Sequence, residues 1–166
     1  MQVIELPVSR WKEFRELRLQ ALKNEPLAFA DILSEAKIRP PKYWKSFLTA
    51  SSKEQKIYFI EDNKKLVGML RVGFDIDKYK HMAEFTMMYV DAAHRGKGVG
   101  SLLMQKAMDL IKQRKIVKVK LTVSEAQESA RRLYEKYGFK VVGTFEKNVF
   151  YKGKYYADYR MEIFFD

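Results

Sequence analysis

The run Met87-Met88-Tyr89-Val90-Asp91-Ala92-Ala93-His94-Arg95-Gly96-Lys97-Gly98-Val99-Gly100 decides how this chain is read. The apolar residues that end at Val90 read as a strand, the glycines as a turn, and the residues from Val99 onward as a helix. A strand that enters a glycine-rich turn and leaves it as a helix builds an anion site. Glycine lets a ligand come close to the backbone, and the first N–H groups of the helix have no partner within it. Arg95 and Lys97 add positive charge at the same mouth. A phosphate loop of the Gly-Lys-Ser/Thr kind is excluded, because Gly98 follows Gly96-Lys97. A dinucleotide fingerprint fails as well: its third glycine would fall on Ser101, and the next strand ends in Val123-Ser124 with no acidic residue.

Outward from that run, residues 99–112 read as a helix with Leu103, Ala107, Leu110 and Ile111 on its core face. Residues 116–123 read as a strand. Residues 127–137 read as a second helix, with Ala130, Leu133, Tyr134 and Tyr137 on one face and Gly138 as its stop. Residues 139–146 and 156–165 close the chain as strands. In the last of these Ala157, Tyr159, Met161 and Ile163 alternate with Asp158, Arg160 and Glu162.

Upstream, residues 82–90 form a strand, as do 57–60 and 66–72, which a turn at Asp62-Asn63 joins. The chain opens on a short strand, 2–6. A helix follows with Ser9 as its N-cap and an apolar stripe of Trp11, Phe14, Leu17, Ala21 and Leu22. Prolines break residues 26–41, which read as an irregular helical layer that reaches Phe47. No repeat or linker interrupts this order, so one domain, 1–166, is expected. Strands, then helix, strand, helix, then strands describe an α/β sandwich of helices on a mixed sheet.

Composition narrows the chemistry. The chain has no cysteine, which excludes a disulfide framework, a thiolate metal site and a cysteine nucleophile. Its two histidines, His81 and His94, are too few for most metal sites, and no metal is expected. The N-terminus lacks the apolar core of a signal peptide, and no apolar run approaches the roughly 18 residues of a membrane span. A cytoplasmic protein is expected. The net charge of +11 suits a phosphorylated partner, or simply a solvated basic face. The lysines between Lys112 and Lys120 lie at a helix end and then alternate with Val117 and Val119, as on a strand with one wet face.

Arg95-Gly96-Lys97-Gly98-Val99-Gly100 resembles the Arg/Gln-x-x-Gly-x-Gly/Ala signature of the GNAT superfamily of N-acetyltransferases. Leu121-Thr122-Val123, Ala130, Leu133-Tyr134-Glu135-Lys136 and Gly138-Phe139 are similar to that family's second conserved block. Leu17-Arg18-Leu19-Gln20-Ala21-Leu22, with Pro26, Ala28 and Phe29, is similar to a common GNAT opening. One departure stands out. Where many relatives carry asparagine four residues after the valine of the second block, this chain has Gln127.

The resemblance implies a central, mostly antiparallel sheet of six to seven strands, split at the cofactor site and flanked by about four helices. It implies transfer of an acetyl group from acetyl-coenzyme A to a primary amine by direct attack. Met88, Tyr89 and Val90 would line the pantetheine arm, with Met88 and Val90 pairing to it through a bulged strand. The N–H groups of Arg95, Gly96, Lys97, Gly98, Val99, Gly100 and Ser101 would receive the pyrophosphate. Gln127, Ala130 and Tyr134 would complete the cofactor site.

For catalysis the resemblance assigns the developing oxyanion to the Val90 N–H and the acid role to Tyr134, which on spacing alone reads as a core aromatic. Glu84 sits where several relatives keep a catalytic glutamate, and it reads equally as a base or as a solvent-facing residue. His81 and His94 read as surface loop residues. Phe29, Asp158 and Tyr159 are expected to border the acceptor. A different class of function competes: a basic RNA- or ribosome-associated protein with a non-catalytic GNAT fold. The mixture of cations with Phe150, Tyr151, Tyr155, Tyr156 and Tyr159 is its support. The same aromatic strands read more simply as an edge or a homodimer interface.

Overall fold

Asn63 (φ 47°) and Lys64 (φ 63°) both adopt left-handed backbone, the geometry that a two-residue hairpin turn needs. They join β2 (Gln55–Asp62) to β3 (Lys65–Phe74). The computed structural model describes residues 1–50 and 53–166. Its remaining strands are β1 (Gln2–Ile4), β4 (Met82–Val90), β5 (Lys118–Ser124), β6 (Lys140–Tyr151) and β7 (Lys154–Phe164). They form one sheet of seven strands in the order β1-β2-β3-β4-β5-β7-β6. Only β4 and β5 run parallel. The mixed, mostly antiparallel sheet expected from the sequence is the one observed.

Among the described residues five α-helices flank it, in keeping with the expected number of about four. α1 (Trp11–Asn24), α2 (Leu33–Ile38) and α3 (Pro41–Thr49) precede β2, and α4 (Val99–Gln113) and α5 (Glu128–Lys136) follow β4 and β5. The proline-rich segment thus contains two helices rather than one irregular layer. Pro41 opens α3, where a missing N–H costs no helical bond. Ser9 does not cap α1. It lies in a 3-10 turn, Val8–Arg10, and Arg10 stands at the cap position without a side-chain cap bond. The last strand pair is longer than the sequence pattern indicates. Bulges after Val141 and Phe145 break the alternation by which β6 would be recognised.

Two apolar clusters lie on the two faces of the sheet. Phe14 of α1 is fully buried, with edge-on contacts to Trp44 and Phe47 of α3 and Phe59 of β2 at centroid distances of 5.8, 5.8 and 5.6 Å. Burying one such side chain stabilises by about 2–3 kcal/mol. On the other face Leu103, Met104, Ala107 and Ile111 of α4 pack on Leu70, Val72 and Phe85. This is the helical stripe read from the sequence. Gly138 (φ 93°) ends α5, and the N–H groups of Gly138 and Phe139 turn back to the carbonyls of Glu135 and Tyr134.

The sheet opens in its middle. β4 and β5 pair only from Met82–Lys118 to Glu84–Lys120, then diverge. Just beyond, β4 carries a bulge. Arg71 pairs with Thr86 and Met69 with Tyr89, so Met87 and Met88 together oppose Leu70, and Met87 is forced to φ 57°. The extra residue resets the alternation. Ala83 and Phe85 point to the α4 cluster before the bulge, and Met88 and Val90 point there after it.

Candidate active site at the split between β4 and β5

Beyond Val90 the chain is fastened before it turns. The Asp91 N–H donates to the Val67 carbonyl, and the Asp91 carboxylate takes Gln20 Nε2 at 2.6 Å and pairs with His94 Nδ1 at 2.9 Å. The His94 contact is the main reason why the Asp91 carboxyl lies below its usual range. His94 also faces Asp62 at 3.5 Å, so its ring is held between two carboxylates. Gly96 (φ 72°) and Gly98 (φ 82°) then make a turn that side chains other than glycine's resist. The first bond of α4 runs from the Leu102 N–H to the Gly98 carbonyl. The N–H groups of Val99, Gly100 and Ser101 therefore have no backbone partner among the described residues, and no side chain caps the helix.

These N–H groups border a cavity of about 480 Å³. That volume falls within the range of small-molecule sites, roughly 300–1,000 Å³. Of the residues expected at the cofactor, Met88, Tyr89, Val90, Arg95, Gly96, Gly98, Val99, Gly100, Ser101, Gln127 and Ala130 line it; Lys97 and Tyr134 do not. A Cβ at Gly96 or Gly98 would meet nothing within 4 Å. Gly100 is different. A Cβ there would stand 2.9 Å from Leu133 and 3.4 Å from Met88, so this glycine lets α4, α5 and β4 pack.

Val90 presents its backbone to the opening. It pairs with Gly68, and the Asp91 N–H bonds to the Val67 carbonyl, which makes Val90–Gly68 a non-hydrogen-bonded pair. Its N–H and C=O therefore point away from β3. Arg95 Nε donates to that carbonyl at 3.1 Å.

Glu25 escaped the sequence reading. Its carboxylate accepts Arg95 Nη2 at 2.6 Å and Gln127 Nε2 at 2.9 Å, across the cavity mouth. Gln127, in the place of the family asparagine, is long enough to make this contact. A signal was present: an acidic residue at the C-terminal end of α1 opposes the helix dipole and so needs a partner elsewhere.

Tyr134 shares a face of α5 with Ala130, one turn on, and its ring is buried 6.1 Å from that of Phe139. Burial raises its phenol above the ordinary value, and no hydrogen bond to its hydroxyl exists among the described residues. Glu84 lies on the face opposite α4 and meets Arg160 Nη1 at 3.5 Å. Phe29 stacks beneath the Arg18 guanidinium, 4.3 Å from its ring centroid. Asp158 and Tyr159 diverge: Asp158 accepts from Asn148 at 2.7 Å, while Tyr159 lies under Arg131 of α5 on the other face. His81 gives its backbone carbonyl to Val117 and Lys118, away from the split. The Phe150 and Tyr155 rings stack 4.9 Å apart on the β6–β7 hairpin and are exposed. No helix among the described residues is long and apolar enough to cross a membrane.

Solved structures share this fold. The chain is similar to yncA of Salmonella typhimurium, whose structure holds its cofactor acetyl-CoA, with a TM-score of 0.85 at 17% identity over 100% of this chain and 94% of that one. It is equally similar to the acetyltransferase of the GNAT family from Streptococcus pneumoniae, at 22% identity over 99% of both chains. In sequence it is 26% identical over 151 residues to YwnH of Bacillus subtilis (strain 168), named for phosphinothricin acetylation, covering 89% of this chain and 92% of that one. It is also 32% identical over 82 residues, about half of each chain, to the L-amino acid N-acetyltransferase AaaT of Escherichia coli (strain K12). The Acetyltransferase (GNAT) family profile matches residues 11–139, from the start of α1 through the glycine turn and α5 to the residue before β6, and the chain belongs to that family.

Proposed function

We propose that this acetyltransferase moves an acetyl group from acetyl-CoA to the primary amine of a small acceptor, both being bound together at the split. The observation that carries this reading is Val90: its outward N–H and C=O stand beside the free N–H groups of Val99, Gly100 and Ser101. The residues present fit the cofactor. Open space at Gly96 and Gly98, three unpartnered N–H groups and Arg95 suit a pyrophosphate, and Met88 and Val90 offer a strand edge to an amide-bearing arm. When bound, acetyl-CoA supplies an activated thioester.

Three groups of the chain would act on the reaction. The Val90 N–H would donate to the oxygen that gains charge, an interaction worth about 3 kcal/mol. Glu84, directly or through water, would take the proton of the attacking amine. Its place on the face opposite α4 supports an acceptor that approaches from that side. Tyr134 would donate a proton to the departing sulfur, and its raised phenol stays protonated at neutral pH. Names of relatives give L-amino acids and phosphinothricin as their acceptors, and small amines of that kind come first in a test.

The test is thiol release from acetyl-CoA against a panel of amino acids, polyamines, aminoglycosides and short peptides. Amine-dependent release by at least one class is expected. Tight acetyl-CoA binding with no amine-dependent release would overturn the reading. The aromatic hairpin of β6 and β7, with Phe145, Phe150 and Tyr155 exposed, supports self-association through that edge. Sedimentation of the wild type beside Phe150→Lys would read it.

A further inference from the structure

On the sheet face opposite α4, next to the point where β4 and β5 part, lies a patch of polar side chains. It contains Gln55, Arg71, Thr86, Glu84, Thr122 and Arg160. Arg71 differs from most arginines of the chain in its partners. Arg18, Arg39, Arg95, Arg131, Arg132 and Arg160 all pair with carboxylates. Arg71 makes no ion pair with a described residue. Its guanidinium is held by two neutral acceptors instead: Nε donates to Gln55 Oε1 at 2.6 Å and Nη1 to Thr86 Oγ1 at 3.2 Å.

The holding is firm. Gln55 is only 8% exposed, and its own Nε2 donates to the Phe47 carbonyl at 2.7 Å, which fixes Oε1 toward Arg71. The guanidinium folds over Gly73, where a Cβ would stand 3.4–3.5 Å from Nη1, Cζ and Nη2. Nη2 has no partner among the described residues. A half-buried cation with neutral partners alone is poorly compensated. Burial pulls the Arg71 guanidinium below its ordinary value, and only the field of Glu84 opposes this. Glu84 itself is drawn to Arg160. An oriented guanidinium with a free edge matches the planar fork of a carboxylate.

Position gives that carboxylate a meaning. Arg71 pairs with Thr86, the residue just before the bulge at Met87. Its side chain therefore lies on the face from which an acceptor would reach the split, with the guanidinium over Gly73, opposite Glu84 where the pairing of β4 with β5 ends. We infer that Arg71 binds a carboxylate carried by the acceptor, so that the preferred acceptors are amino acids rather than plain amines. This rests on the acetyl-transfer reading above and adds to it the group by which the acceptor is chosen.

The experiment compares the twenty standard L-amino acids, β-alanine and γ-aminobutyrate with their carboxamides, using wild type, Arg71→Met and Arg71→Lys. Thiol release gives kcat and KM, and calorimetry on CoA-saturated protein gives amino-acid binding. For at least one amino acid, wild type should exceed the matching carboxamide in kcat/KM by about tenfold or more. Arg71→Met should lower that value about 10- to 100-fold, mainly through KM, and leave the carboxamide within about threefold. Arg71→Lys, which keeps the charge but loses the fork, should fall between. A purely structural Arg71 would lower both substrates by one factor, and that result, or a wild type indifferent to the carboxylate, overturns the inference. If acetyl-CoA binds but no amine releases thiol, the transfer reading fails by itself. Calorimetry then still separates the two: Arg71-dependent heat with an amino acid supports the subsite, and no heat with any of them removes it.

Discussion

Glu25 and Arg95 stand 2.6 Å apart at the mouth of the cavity, carboxylate oxygen to guanidinium nitrogen. The pair joins the end of α1 to the glycine turn, and Gln127 ties α5 to the same carboxylate. A carboxylate thus occupies the cation Arg95 and the amide donor Gln127, which face the mouth where a pyrophosphate would enter. Coenzyme A brings on the order of four negative charges, so Glu25 opposes its approach and holds Arg95 in competition with it. Glu25→Gln is expected to tighten acetyl-CoA binding by about two- to fivefold at low salt. Calorimetry would read this, and weaker binding by the variant would show that Glu25 orders the site instead of competing for it.

The glycine turn separates two roles that the sequence pattern merges. Gly98 has φ 82° and open space ahead of it, whereas Gly100 touches Leu133 and Met88. Gly98→Val should therefore abolish acetyl-CoA binding by filling the approach and should cost about 1–3 kcal/mol through backbone strain. Gly100→Val should unfold at lower denaturant by about 1–3 kcal/mol through overpacking against α5. Urea titrations beside binding assays would distinguish them. A fully stable Gly100→Val that fails to bind would assign this glycine to the ligand as well.

Binding itself should be salt-sensitive. Arg95 is partly exposed, and charges that far into solvent are screened over about 10 Å at 0.1 M salt. Affinity for acetyl-CoA is expected in the micromolar range at low salt and should weaken several-fold between 50 and 300 mM. A flat salt series would mean that backbone N–H groups carry the phosphate contact almost alone.

What the sequence conveys here follows from how local the cause is. The strand, glycine turn and helix from Met87 to Gly100 were readable because period and glycine placement are properties of neighbours. The stop at Gly138 and the hairpin turn, expected around Asp62-Asn63 and found at Asn63-Lys64, were readable for the same reason. Ser9 falls inside the 3-10 turn that precedes α1, and Arg10 at the cap position reaches Glu13 and Glu61, the second remote in sequence. Glu25 was missed because its partners, Arg95 and Gln127, come from two other elements. The opposite directions of Asp158 and Tyr159 are implicit in the alternation of β7, so at most one of the two faces a given side of the sheet. Arg71 gave no pattern at all, since its significance is the lack of an ionic partner among the described residues, which only the fold defines.

Tyr134→Phe keeps the ring against Phe139 and removes only the hydroxyl, so it separates an acid from a packing residue. The hydroxyl makes no hydrogen bond with a described residue, and its loss should leave stability nearly unchanged at neutral pH. Burial raises the folded phenol above the unfolded value of about 10, so the folded state holds this proton more tightly than the unfolded chain. The associated stability is present below about pH 10 and is lost as pH rises through the folded value. Tyr134→Phe should therefore resist alkaline unfolding better than wild type above about pH 10. For turnover, the protonated phenol is available throughout the neutral range, and Tyr134 should impose no alkaline limb below about pH 10. The single-turnover rate of Tyr134→Phe should fall at least about tenfold with little change in acetyl-CoA affinity, because an acid acts in the transition state rather than in binding. A variant with the wild-type rate from pH 6 to 9 would assign Tyr134 to packing, and the sulfur would then leave unaided or with a proton from water.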